Sequence, residues 1–361
     1  MKVPSESSFV EIVAPVSNEV EALQRVVESV PADLLVGRAH EAIALAEILG
    51  SREYLQLRRI ADRLGNLLNH TGSTGVLVVD LNDVLPDELD RLPPTPDAFA
   101  DPRDHRLTRF DLARCALIGA AGGYSYAYRD QGGGNLCDDV MPKKDKADDS
   151  TISYGIKVGW HTEDAPYHRA DDRNLHPVFD ILSLAYLRNP HRDPTLVSMP
   201  QASQIASEIL DELRKPQFTI LTSDAQGGDN NTILTPTSFI YSEHYWIRFT
   251  FAKLEKQRAT YEQRGLIPVI DAFINHLDAH ASFIEGKPGT VAFVDNMRVA
   301  HARGEMNQAP KYDGTDRWHR RVGLAVPTRR PFLESLMRDA STRIIDNRLL
   351  LRHSTELQEG N

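Results

Sequence analysis

Beyond Gly123 the chain breaks into short runs rich in β-branched and aromatic residues, many of them separated by turn formers. LCDDVMP, ISYGIKVGW, FDILSLAYLRN, FTILTS, TILTP, SFIYSEHYWIRFTF, GTVAFVDNMRVAHA and RVGLAVP follow in order. Many short strands at modest spacing predict a β-sandwich or barrel, not a parallel α/β sheet. The expected fold is therefore mainly β with flanking helices: a jelly-roll-like core buttressed by N-terminal helices.

Those helices are read from a different period. NEVEALQRVVESV, VGRAHEAIALAEILG and EYLQLRRIADRLGNLLNH place apolar residues three and four apart, with Gly50 and Gly72 as expected stops. GVLVVDL, at 75–81, reads as a strand, the proline-rich stretch after it as a connecting loop, and TRFDLARCALIGAAGG as another helix. Three more helical runs are QASQIASEILDEL, the long ATYEQRGLIPVIDAFINHLDAH with Pro268 inside it, and PFLESLMRDAST. One domain is expected over 1–361. Residues 1–72 form the helical buttress, 73–330 the core with inserted helices and a lid, and 331–361 a C-terminal helix and tail.

The net charge of -10, with no block rich in lysine and arginine, argues against nucleic acid as a partner. No apolar run approaches a membrane span, and MKVPSESSFVEIV lacks the apolar core of a signal peptide. Two cysteines, Cys115 and Cys137, indicate neither a disulfide framework nor a zinc knuckle. A cytoplasmic protein with no membrane partner is expected; oligomeric state is left open.

Chemistry enters at GWHTEDAPYH, residues 159–168. It closes a run that reads as a strand, so His161 and Glu163 point to one face and can aim a nitrogen and a carboxylate oxygen at one point. Alone the pair is a weak signal, since H-x-E arises often by chance. The C-terminal half offers a third donor, His301, just after a strand ending in Asp295 and Asn296, which are read as shaping a turn. Downstream, YDGTDRWHRRVGLAVP carries Arg317, Arg320 and Arg321 into an apolar strand. Burying a guanidinium unpaired is costly, and its natural partner is a carboxylate held by two parallel bonds. A metal centre beside an anion pocket is one reading. Arg320 alternates away from Arg321 and is expected to face solvent.

These blocks, in this order, resemble the clavaminate synthase-like iron(II)/2-oxoglutarate oxygenases of the taurine-dioxygenase-like superfamily. The likeness rests on HTE (161–163), LRN (187–189), TLV (195–197), VDNMRVAHAR (294–303) and YDGTDRWHRRV (312–322), with weaker likeness upstream in GYSYAYRDQGGGNLCDDVMP and GVLVVDL. The resemblance implies a double-stranded β-helix fold. It implies His161, Glu163 and His301 as a facial triad for iron, with three positions open to 2-oxoglutarate and dioxygen. Arg317 and Thr195 match the grip on the C5 carboxylate of 2-oxoglutarate. Arg321 matches the partner of a substrate α-carboxylate, Gln131 a polar side chain facing the substrate amine, and Asp164 the entrance, together with Tyr167 and His168. The implied reaction couples decarboxylation of 2-oxoglutarate to hydroxylation of an unactivated C–H in a free polar or basic amino acid, in specialised metabolism. Desaturation or cyclisation of such a substrate is the alternative outcome. Relatives acting on arginine place aspartates on a late strand, where WIRFTFAK offers Thr250 instead. A zinc hydrolase with the same donors and a non-catalytic binding protein are the competing classes.

Overall fold

A computed structural model describes residues 9–96, 106–129, 134–142, 158–163, 178–220, 238–241, 246–251, 254–304, 306, 308–326 and 343–346. The N-terminal helices form as their periodicity predicts: α1 (Ser17–Ser29), α2 (Ala39–Arg52), α3 (Tyr54–Leu68) and α4 (Arg109–Ala120). The hydroxyl of Thr108 caps α4 by accepting from the Asp111 N–H, while the Asp111 carboxylate accepts from the Thr108 N–H at 2.8 Å.

Gly50 is not a stop. It lies inside α2, where an added Cβ would come within 2.0 Å of the Ala116 carbonyl oxygen, and a Cβ at Gly119 would come within 1.9 Å of that of Glu47. The two glycines let α2 and α4 cross with backbones nearly touching. Further on, the long run is two helices, α6 (Leu254–Gln263) and α7 (Ile267–Ala279), after α5 (Ser207–Arg214). Gly265, at φ +67°, makes the break, and Pro268 sits in the first turn of α7, where its missing N–H costs nothing. The expected helix PFLESLMRDAST lies outside the described residues.

The strands are β1 (Val10–Val13), β2 (Val76–Asp80), β3 (Tyr124–Tyr128), β4 (Asp138–Val140), β5 (Val158–His161), β6 (Ile181–Arg188), β7 (Thr195–Ser198), β8 (Ile240–Tyr241), β9 (Trp246–Ile247), β10 (Ser282–Ile284), β11 (Thr290–Asp295), β12 (Ala300–Arg303), β13 (Trp318–Ala325) and β14 (Ile344–Ile345). Among the described residues they form a large sheet ordered β1-β2-β11-β6-β13-β3-β14, with β4 also on β13. A smaller sheet is ordered β10-β7-β12-β5, and β8 and β9 make a hairpin. Pairing is mostly antiparallel; β1 with β2 and β14 with β3 are the parallel pairs among the described strands.

Alternation along the strands sets three layers. On the large sheet, Leu77, Val79, Ile181, Ala185, Val291, Phe293, Val322 and Leu324 point outward into one core with the four N-terminal helices. Their neighbours Val76, Val78, Leu182, Leu184, Tyr186, Ala292 and Val294 point inward and pack with Val197 and Ile284 of the smaller sheet. The outer side of the smaller sheet, at Trp160, Ala300 and Ala302, is covered by α7 and the aromatic residues Phe239, Phe249 and Phe273. Among the described residues no helix is long and apolar enough to cross a membrane.

Candidate metal centre and anion pocket

His161 is directly opposite His301 across the β5–β12 pair, so both imidazoles lie on the inner face of the smaller sheet, ring centres 4.1 Å apart. Glu163 follows two residues beyond His161, as the alternation requires. Its Oε2 lies 3.5 Å from His301 Nε2. One donor atom from each of the three residues falls within 4.8 Å of the others. His161 Nδ1 is 2.9 Å from the Gly159 carbonyl, which leaves Nε2 to face the other two side chains.

The protonation states suit a cation. Burial, then the neighbouring His301, pushes His161 down to about 4, so it is neutral at neutral pH. Burial alone would raise Glu163, but Arg321, followed by His301, holds its carboxyl well below the usual range. Two imidazole nitrogens and one carboxylate oxygen on one face are a donor set suited to divalent iron.

Asn296 does more than shape a turn. Its Oδ1 accepts from the Glu163 N–H at 2.7 Å, and its Nδ2 donates to the Glu163 carbonyl and to the Phe179 carbonyl, each at 3.1 Å. The carboxamide thus holds both backbone polar groups of Glu163 from 133 residues away. Asn296→Ala is expected to lower metal affinity by about 10–100-fold with the ligands intact. Calorimetric titration of the purified variant with iron(II) under anaerobic conditions checks this, and unchanged affinity would deny Asn296 that role. Beside it, Asp295 accepts from Met297 N–H at 3.0 Å, from Arg298 Nε at 2.6 Å and meets His70 Nδ1 at 2.9 Å.

Arg321 ends against Glu163 and Asp138, forming an ion pair with each. Arg320 does alternate away from it, but solvent is not what it meets. It is 1% exposed, pairs with Asp111 and Asp139, and donates to the Arg106 carbonyl at 2.7 Å. The outer face of β13 is roofed by α4, and Asp111 comes from that helix.

Arg317, 7% exposed, immediately precedes β13, and its Nε has no hydrogen-bond partner. Burial lowers its pKa, while Asp193 and Tyr186 act to keep the charge. Thr195 is buried on β7, and its hydroxyl receives the Tyr186 hydroxyl proton at 3.0 Å. The predicted residues His161, Glu163, His301, Arg317, Thr195 and Arg321 therefore gather between the two sheets. Gln131 and Asp164 lie outside the described residues, as do Tyr167 and His168. Asn296, Arg303 and His319 were missed as site residues. For the latter two the available signal was strand alternation, which puts Arg303 on the face of His301 and His319 on that of Arg321.

No family model matches this chain. Known enzymes do align with it along most of its length, and with the site geometry they give its activity: the chain is an iron(II)/2-oxoglutarate-dependent oxygenase, similar to the clavaminate synthase-like enzymes. Enduracididine beta-hydroxylase of Streptomyces hygroscopicus is 27% identical over 342 residues, 86% of this chain and 94% of the relative. The L-ornithine/L-arginine 3-hydroxylase of Catenulispora acidiphila is 26% identical over 265 residues, 65% of this chain and 73% of its own length. Clavaminate synthase 2 of Streptomyces clavuligerus is 25% identical over 245 residues, 66% and 71% respectively. The fold is shared with the non-heme iron oxygenase OrfP, whose complex with iron and alpha-ketoglutaric acid superposes with a TM-score of 0.69 at 22% identity, covering 92% of this chain and 99% of that one. Iron(II) is the cofactor of such an enzyme, with 2-oxoglutarate and dioxygen as co-substrates.

Proposed function

We propose that this protein hydroxylates an unactivated C–H of a free polar or basic L-amino acid, or a derivative of one, at the expense of 2-oxoglutarate. The observation that carries the reading is the convergence of His161, Glu163 and His301 beside a buried guanidinium, Arg317. Bound iron supplies the activation of dioxygen and of the C–H bond. In this reading the three side chains hold the metal by one face. Arg317 and the Thr195 hydroxyl grip the distal carboxylate of 2-oxoglutarate. Arg321 orients the Glu163 carboxylate and takes part in holding the substrate carboxylate, with Asp138 steadying it. Gln131 and Asp164 are proposed to face the substrate.

Support for an amino-acid substrate comes from the relatives, whose names give ornithine, arginine and enduracididine as substrates. Thr250, which pairs across from His161, brings no carboxylate to that strand, so a guanidinium would have to be recognised elsewhere. The two facing sheets support the double-stranded β-helix reading, and the shared core of the N-terminal helices and large sheet supports a single domain over 1–361.

The test is a panel of amino acids incubated with iron(II), 2-oxoglutarate and oxygen, reading succinate formation and product mass. Gain of one oxygen marks hydroxylation and loss of two hydrogens marks desaturation. A protein that never forms succinate above background with any of them sinks the proposal. Arg317→Ala is expected to weaken 2-oxoglutarate binding by about 10²-fold or more, the usual scale for removing one side of a buried charge pair, with iron affinity retained. Anaerobic calorimetry with each ligand in turn separates the two.

A further inference from the structure

Two groups in the anion pocket are left over after Arg317 and Thr195 have been assigned. His319 stands on β13 midway between Arg317 and Arg321, 4% exposed, and its Nε2 has no hydrogen-bond partner. It lies in register with Tyr186 on β6, its ring edge-on to that phenol with centres 4.4 Å apart. Tyr186 in turn reaches Thr195. From the smaller sheet Arg303, in register with Thr195 and two residues past His301, adds a second guanidinium. Arg303 and Arg317 repel one another: burial first, then Arg317, brings Arg303 down to about 10. Asp193, 2% exposed, is the carboxylate that acts on both. Among the described residues, two guanidiniums and an imidazole whose Nε2 has no hydrogen-bond partner converge here, a setting that suits a bound anion.

We propose that His319, flanked by Arg303 and Arg317, is a further recognition residue of this pocket: its imidazole meets the distal carboxylate of the bound 2-oxo diacid and takes a proton from solvent as that carboxylate enters. The proposal rests on the reading of the pocket as the co-substrate site. Without the diacid, burial and then the two arginines keep His319 well below the ordinary histidine range, so its ring is neutral. An entering carboxylate reverses the sign of the local field and raises that pKa. The groups facing the ring are Tyr186 from β6, Arg303 from β12 and Arg317 from its own chain segment. The proton is bound in the complex and not before it. Affinity for the diacid therefore rises as pH falls through the pKa of the complex, and levels off below that of the uncomplexed protein. At about pH 6.5, well above the range in which carboxylates titrate, the diacid is fully ionised and contributes no proton of its own.

The experiment is anaerobic calorimetry of the iron(II)-loaded protein at about pH 6.5, in the range where histidine titrates, using two buffers of different ionisation enthalpy. The titrants are 2-oxoglutarate and 2-oxopentanoate, which has the same chain without the distal carboxylate. Wild-type protein takes up a fraction of a proton with 2-oxoglutarate and none with 2-oxopentanoate. His319→Leu abolishes the uptake and weakens 2-oxoglutarate by about tenfold, the scale of one lost hydrogen bond, while iron affinity stays as it was. His319→Gln, which retains a donor and cannot titrate, recovers affinity without uptake. Binding of 2-oxoglutarate with no proton uptake, or uptake that survives in His319→Leu, overturns the proposal and leaves the co-substrate reading standing. Iron-loaded protein that binds no 2-oxoglutarate removes both. Should the leucine variant not fold, the contrast between diacid and monoacid on wild-type protein still decides.

Discussion

His161→Ala is expected to yield a folded protein that no longer retains iron and no longer turns over. The loss should exceed the roughly 10–100-fold in metal affinity that outer partners alone cost, because a donor atom itself is removed. Removing an imidazole from between the sheets also removes a pH-dependent contribution to stability. His161 sits at about 4 in the folded protein, below its ordinary value in an unfolded chain. The unfolded state therefore binds the extra proton, and stability declines as pH falls from about 6.5 towards about 4. Melting temperatures of metal-free wild type and His161→Ala across that window should diverge least at the acid end. Stoichiometric iron in the alanine variant, by metal analysis after desalting, would contradict the assignment of His161 as a ligand.

Asp111→Ala should be the most damaging substitution away from the site, at about 3–5 kcal/mol. Arg114 and Arg320 both end on Asp111, and all three side chains are buried. Burial pushes against the charge on Asp111, but Arg320 and then Arg114 hold its pKa down to about 2. Removing the carboxylate leaves two guanidiniums in the helix–sheet interface with, among the described residues, only Asp139, on one of them, as a charged partner. Urea denaturation at neutral pH should show a lower midpoint with the slope unchanged. Because the folded pKa is depressed, the wild-type contribution is present above the unfolded value near 4 and lost as pH falls towards about 2. A variant as stable as wild type would show that the arginines find other partners.

Arg320 shows where reading along the chain stops. Alternation is a local property of extended backbone, and it correctly set Arg320 opposite Arg321. What lay across from that face was another matter. The expected solvent is instead α4, more than 200 residues earlier, bringing Asp111. Gly50 makes the same point. As a residue it reads as a helix stop, and only the crossing with α4 explains why nothing larger fits. Asn296 was read as part of a turn because its sequence neighbours are turn-like. Its hold on Glu163 comes from a segment 133 residues distant, and no local period records that.

The chain order alone determined the helices α1 to α4, the strand-rich character of the rest, and the shared face of His161 and Glu163, because hydrophobic period and backbone alternation are short-range. Block order and residue identity within VDNMRVAHAR and YDGTDRWHRRV carried His301 and Arg317 as candidates. Only the tertiary structure decided that β5 and β12 pair with their histidines opposed, that the Arg303 charge acts on the His319 imidazole from the facing sheet, and that Arg320 is roofed. Those outcomes depend on which strands become neighbours. That is set by packing across the whole core, where contacts join residues far apart in sequence.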